Sequence, residues 1–158
     1  MAIGIVESGK AIEQASEELL RIWRLARASA RREVFPGLLD GVLGDFFARS
    51  GRLLADGGSP EEVWKGLRGI IRWAPALGAA ELTNEWAIAM EVLAAACESF
   101  DSDPATAEWL ARAVAEAERG TSALLDGQDR AAPPPGILTL LTLGDLHPPR
   151  RVVREPEE

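Results

Sequence analysis

Apolar residues recur at three- and four-residue intervals along most of this chain, and near residue 125 that rhythm stops. Ile12, Ala15, Leu19, Ile22, Trp23, Ala26 and Ala30 form one stripe, predicting a first helix over about residues 8–34. Pro36 ends or kinks it, because proline lacks the N–H and its ring clashes with the preceding turn. A second helix follows, to about residue 56, with Leu39, Val42, Phe46, Phe47, Leu53 and Leu54 facing the core. Gly57-Gly58 closes it. Ser59, Pro60 and Glu62 read as a capping box for a third helix, carrying Val63, Trp64, Leu67, Ile70 and Ile71 and ending near Trp73. The fourth spans about residues 79–100, with Leu82, Trp86, Ala89, Leu93 and Ala96 inward. Asp103 caps the fifth and Pro104 opens it; Leu110, Ala113, Val114, Ala117 and Leu124 form its stripe, and Gly127 stops it. The expected fold is all-α, an antiparallel bundle of about five helices over residues 1–127.

Two details refine the packing. In the first helix the acids come early and the bases late, which suits the helix dipole, and Glu17–Arg21 is spaced as an i,i+4 pair. The late cluster of Arg21, Arg24, Arg27, Arg31 and Arg32 reads as a solvated helix end more readily than as a binding patch. In the second helix Gly41, Gly44 and Ala48 share nearly one face. Glycine costs about 1 kcal/mol there relative to alanine, so the face points to the close approach of another helix.

The end of the chain follows other rules. Residues 128–136 contain three consecutive prolines and form a stiff, extended spacer. Residues 137–158 open with a run of Ile, Leu and Thr suited to a β-strand, turn at Gly144-Asp145 and finish charged. A lone strand is unstable, so this tail is expected to pair with a sheet edge or fill a groove, on a partner, on its own bundle or in a homodimer. Ile137, Leu138, Leu141, Leu143, Gly144 and Leu146 are the candidate partner-binding residues.

Composition narrows the functions. The 158 residues are 47% hydrophobic, enough for one domain with a core and an extension. A formal net charge of −8 disfavours nucleic acid and anionic membranes as partners. The start of the chain does not read as a signal peptide, and no apolar run has the length of a membrane span, so a cytoplasmic location is expected. One histidine, His147, and one cysteine, Cys97, do not make a histidine-rich metal centre, and Cys97 reads as a small buried hydrophobe. Among the carboxylates of the fourth helix, Glu81, Glu85, Glu91 and Glu98, Glu91 stands among apolar neighbours and would be an acid or base if buried, but it reads more readily as a residue on the polar side of an Ala-rich helix, and no catalytic residue is assigned. Trp23, Trp64, Trp73, Trp86 and Trp109 fall about one per helix. They suit the core or its rim, and also a planar cofactor such as a flavin.

Two stretches carry resemblances. "FPGLLDGVLGDFF" and "RWAPALGAAELTNEW" are similar to the helical N-terminal sensor domain of RsbRD-type stress regulators, over about residues 15–125. That resemblance singles out Pro36, Leu38 and Leu39, and then Arg72, Gly78, Leu82, Glu85 and Trp86; Arg68 and Gly69 stand where the family often has a histidine. It implies a helical regulatory module that senses a ligand. In the tail, "LTLGDL" resembles the C-terminal cargo-loading peptides of encapsulin nanocompartments. It implies anchors at Leu141, Leu143 and Leu146, a turn at Gly144, and a shell as the partner. The leading expectation is a non-catalytic interaction or regulatory module docked through its tail. The alternatives are an encapsulin-type cargo or redox accessory protein and a ligand-sensing domain.

Overall fold

The computed structural model describes residues 2–31, 37–67, 70–73, 79–130 and 136–139. The chain is helical: α1 (Ile5–Gln14), α2 (Ser16–Arg31), α3 (Asp40–Asp56), α4 (Glu61–Lys65), α5 (Ala79–Phe100) and α6 (Pro104–Arg130). Two short strands, β1 (Ile70–Trp73) and β2 (Gly136–Thr139), join them.

α3 is the central element, lying against α1, α2, α4, α6 and β1. That position explains its composition: Val42, Leu43, Phe46, Phe47, Ser50, Gly51 and Leu54 are all buried. Phe46 meets Trp86 of α5 edge to face at a centroid distance of 5.0 Å, a favoured geometry for aromatic rings. Leu82, Trp86, Ala89, Leu93 and Ala96 on α5, and Leu110, Ala113, Val114 and Ala117 on α6, fill the same core as their spacing predicts.

The helix ends follow local chemistry. Gly57 is left-handed at φ 82°, and the Gly58 and Gly57 amides donate to the carbonyls of Leu53 and Leu54, a Schellman ending for α3. Asp103 Oδ1 accepts from the Ala105 amide at 2.8 Å and caps α6. The expected capping box at Ser59 forms differently. α4 starts one residue after Pro60, and the Ser59 hydroxyl meets the Glu62 carboxylate at 3.3 Å instead of a backbone amide.

The helix boundaries and one ion pair also differ from what the sequence pattern predicts. The first helix is two, bent at Ala15 (φ −93°, ψ 9°), so α1 follows α3 while α2 turns toward α5. The bend moves Ile22 out of the stripe and leaves it exposed. Arg21 pairs with Glu18 and not with Glu17. The third helix stops at Lys65, and Ile70 and Ile71 belong to β1: Gly66 and Gly69 weaken helix, and the β-branched pair finds a strand partner. α6 runs through Gly127 to Arg130, because one glycine costs too little to end a long helix; the prolines beginning at Pro133 are the stronger stop.

Trp86 supplies a direct test of core polarity. Its Nε1 donates to Thr121 Oγ1 at 2.9 Å, and that hydroxyl donates to the Ala117 carbonyl at 2.8 Å. Thr121→Val keeps the shape and strands the buried indole N–H. It is expected to cost about 1–3 kcal/mol in urea denaturation. A change within a few tenths would show that the indole finds another acceptor.

Candidate functional site: a buried carboxylate cluster and the strand that meets the tail

Glu85 is the centre of the bundle's polar chemistry. It projects from α5 on the face of Leu82 and Ala89, and is fully buried. Its Oε1 accepts from the Leu39 amide at 2.8 Å. Its Oε2 accepts from the Leu38 amide at 3.0 Å and from Arg27 Nε at 2.9 Å. Arg27 comes from α2 and is 4% exposed, and its Nε also lies 3.4 Å from Glu81 Oε2, one turn earlier on α5. One carboxylate therefore ties α2, α5 and the turn that opens α3. The turn is where free amides gather before a helix, and a negative group there also favours the helix dipole. Trp23 Nε1 donates to the Glu85 carbonyl at 3.0 Å, fixing the same point of α5 from its backbone side.

Gly37 closes the cluster. A Cβ at this position would fall 2.4 Å from Arg27 Nε and 2.5 Å from Glu85 Oε2, so any side chain would displace the ion pair. Burial pushes the Glu85 carboxyl up to about 7, and the Glu81 carboxyl beside it adds to the rise. The Leu39 and Leu38 amides and the Arg27 charge pull the other way.

Helical position matters here more than neighbours in the chain. Glu91 is on the exposed side of α5, as its place on the polar side of an Ala-rich helix predicts. Glu85 sits three residues after Leu82 and four before Ala89, and that interruption of the inward stripe was the signal in the sequence. Arg27 is likewise set apart from its solvated neighbours: Arg24 forms an exposed pair with Asp40, at 2.8 Å, whereas Arg27 turns inward. Cys97 is buried as expected, and burial raises its thiol while a hydrogen bond to Ser102 opposes the rise.

The four described tryptophan side chains are packed into the bundle. Trp23 and Trp86 are fully buried with their N–H groups bonded internally. Trp109 donates to the Gly58 carbonyl at 3.2 Å, and Trp64 packs over Gly120, where a Cβ would stand 2.2 Å from its ring. The side chain of Trp73 lies outside the described residues.

The head of the tail meets the chain's own β1. The strands are antiparallel, with Ile70 opposite Thr139, Ile71 opposite Leu138, Arg72 opposite Ile137 and Trp73 opposite Gly136. Ile137 and Leu138, two of the candidate docking residues, are thus in a ladder within the chain. Leu141, Leu143, Gly144 and Leu146 lie outside the described residues, as does His147.

No family model matches the chain. Neither the curated proteins nor the solved structures give a match. Of the positions singled out by the sensor-domain resemblance, Leu38, Leu39 and Glu85 converge on one carboxylate, and Leu82 and Trp86 are buried beside it. Arg72 is in β1, paired to Ile137; Pro36 and Gly78 lie outside the described residues. Among the described residues no helix is long and apolar enough to cross a membrane.

Proposed function

We propose that the chain is a non-catalytic helical interaction module that docks on a larger protein through its C-terminal peptide. β2 carries this reading. After the proline spacer the chain adopts an extended strand, the form in which short peptides add to sheet edges or enter grooves. The bundle supports it from the other side. Arg27 and Glu85 join three segments of backbone, and the buried indoles bond inside the core, so these groups act as structural ties. The residues beyond Thr139 then supply the address, with Leu141, Leu143 and Leu146 as apolar anchors and Gly144 as the turn.

The test is a capture experiment. A peptide covering residues 136–158 is immobilised beside a control in which Leu141, Leu143 and Leu146 are each changed to Asp. The expected result is one dominant protein from the native host's lysate, retained by the first peptide, lost with the control, and bound again when purified with the full chain. A shell-forming protein in that place would identify the address as cargo loading. Equal retention on both peptides would overturn the docking reading.

A further inference from the structure

We propose that Glu81 and Glu85 share one proton that works as a latch: while it is held, α2 and the turn at residues 37–39 are tied to α5, and when it leaves for solvent the tie opens locally, without the bundle unfolding. The proposal goes beyond the docking reading and does not depend on it. The two carboxyls are one helical turn apart on the inward side of α5, 5% and 0% exposed. Both reach the same atom, since Arg27 Nε lies 2.9 Å from Glu85 Oε2 and 3.4 Å from Glu81 Oε2. The two side chains are also in hydrogen-bond contact with each other. Ionised carboxylates only accept, so a hydrogen bond between two of them exists only with a proton on one. Without that proton, two like charges would face each other out of water.

The surroundings direct the effect to one place. Among the described residues, α2 sets Arg27 against the pair, and the turn before α3 sets the Leu38 and Leu39 amides there, while the next carboxylate along, Asp40, pairs with Arg24. Glu85 is the acceptor for both amides, so a shift of its carboxylate is felt first by the turn. Gly37 leaves no slack: a Cβ there would overlap Arg27 Nε and Glu85 Oε2, so turn, guanidinium and carboxylate are in contact and move together. The sign follows from linkage. The closed form holds its proton up to about 7, whereas the carboxyl of the open form returns toward 4.5. The latch is fully closed below pH 4.5, opens more easily as pH rises, and levels off above 7.

Amide hydrogen exchange of the full chain, followed residue by residue by NMR from pH 5 to pH 8 and corrected for the intrinsic rate, tests the latch. Opening at Leu38 and Leu39 is expected to rise by about tenfold to a hundredfold over that range. It is also expected to ignore urea well below the unfolding transition, the mark of a local opening, whereas the amides of Leu110 and Ala113 in the α6 core exchange only through urea-sensitive global unfolding. Glu81→Gln replaces the shared proton with a permanent amide donor to Glu85, so its Leu38 and Leu39 amides are expected to show no such rise. A protonated-carboxyl infrared band is expected in the wild type at pH 6, weaker by pH 8 and missing from Glu81→Gln at pH 6. Opening at Leu38 and Leu39 that does not change with pH, or that follows urea as the α6 core does, overturns the latch. The same rise in Glu81→Gln as in the wild type assigns the proton to Glu85 alone and overturns the sharing. Should Glu81→Gln fail to fold, the wild-type band decides, and its absence at pH 6 overturns the proposal. None of these readouts involves the peptide of residues 136–158, so the two readings fail separately.

Discussion

Glu85→Ala is expected to destabilise the protein by about 3–5 kcal/mol at pH 8, where the carboxylate is ionised, the usual size for breaking a buried pair by removing one partner. The substitution removes the acceptor of the Leu38 and Leu39 amides and takes from the Arg27 guanidinium its carboxylate partner at 2.9 Å. Arg27→Met attacks the same tie from α2. Because both changes break one interaction, the double variant is expected to lose much less than the sum of the two. An additive result would mean that the two side chains act independently, contrary to their 2.9 Å contact. The pH dependence adds a second reading. The Glu85 carboxyl goes from 4.5 to about 7 on folding, so the folded protein holds this proton more tightly than the unfolded chain. The stability this proton contributes is present in full below pH 4.5 and is lost as pH rises toward 7, by about 3 kcal/mol over the window. In Glu85→Ala that slope disappears, so the gap between variant and wild type narrows from pH 5 to pH 8. Parallel curves, by urea denaturation at each pH, would show that the carboxyl keeps its ordinary acidity.

The same cluster shows how far the sequence could be read. The inward stripe of α5 was legible because it is regular: each apolar residue follows the last by three or four, and tertiary packing uses that face without exception at Leu82, Trp86, Ala89 and Leu93. The caps were legible where a side chain or a left-handed glycine does the work locally, as at Asp103 and Gly57. Glu85 is named by the sequence only as one helix carboxylate among four and as a position of a resemblance, because its importance comes from segments 46 and 58 residues away. A carboxylate at an inward position looks like a polar interruption until the partner that neutralises it is known. β1 was read as helix for a related reason. Ile70 and Ile71 continue a helical spacing from Val63 and Leu67, and only the arrival of β2, more than sixty residues later, makes a strand the better solution. What was missed is mostly long-range pairing, which periodicity cannot register.

Gly9→Ala and Gly51→Ala are expected to be strongly damaging for so small a change, each costing about 2–4 kcal/mol in chemical denaturation. Helix propensity argues the opposite, since alanine is favoured over glycine by about 1 kcal/mol within a helix. Geometry decides. A Cβ at Gly9 would lie 2.5 Å from the Ala55 amide nitrogen and 2.6 Å from the Gly51 carbonyl oxygen. A Cβ at Gly51 would lie 2.4 Å from the Glu13 amide nitrogen and 2.6 Å from the Gly9 carbonyl oxygen. The obstacles are backbone atoms, which cannot rotate away, so α1 and α3 would have to separate along their whole contact and open voids around Ile12 and Leu54. Gly44, which the sequence nominated for close approach, is the contrasting case. Its Cβ would meet only the end of the Leu20 side chain, at 3.4 Å, so Gly44→Ala is expected to be neutral or to stabilise by up to about 1 kcal/mol. The three alanine variants therefore separate propensity from packing: if all three stabilise the protein, α1 does not cross α3 at Gly9 and Gly51. The double variant Gly9→Ala/Gly51→Ala is expected to cost less than the sum, because the separation forced by one methyl group makes room for the other.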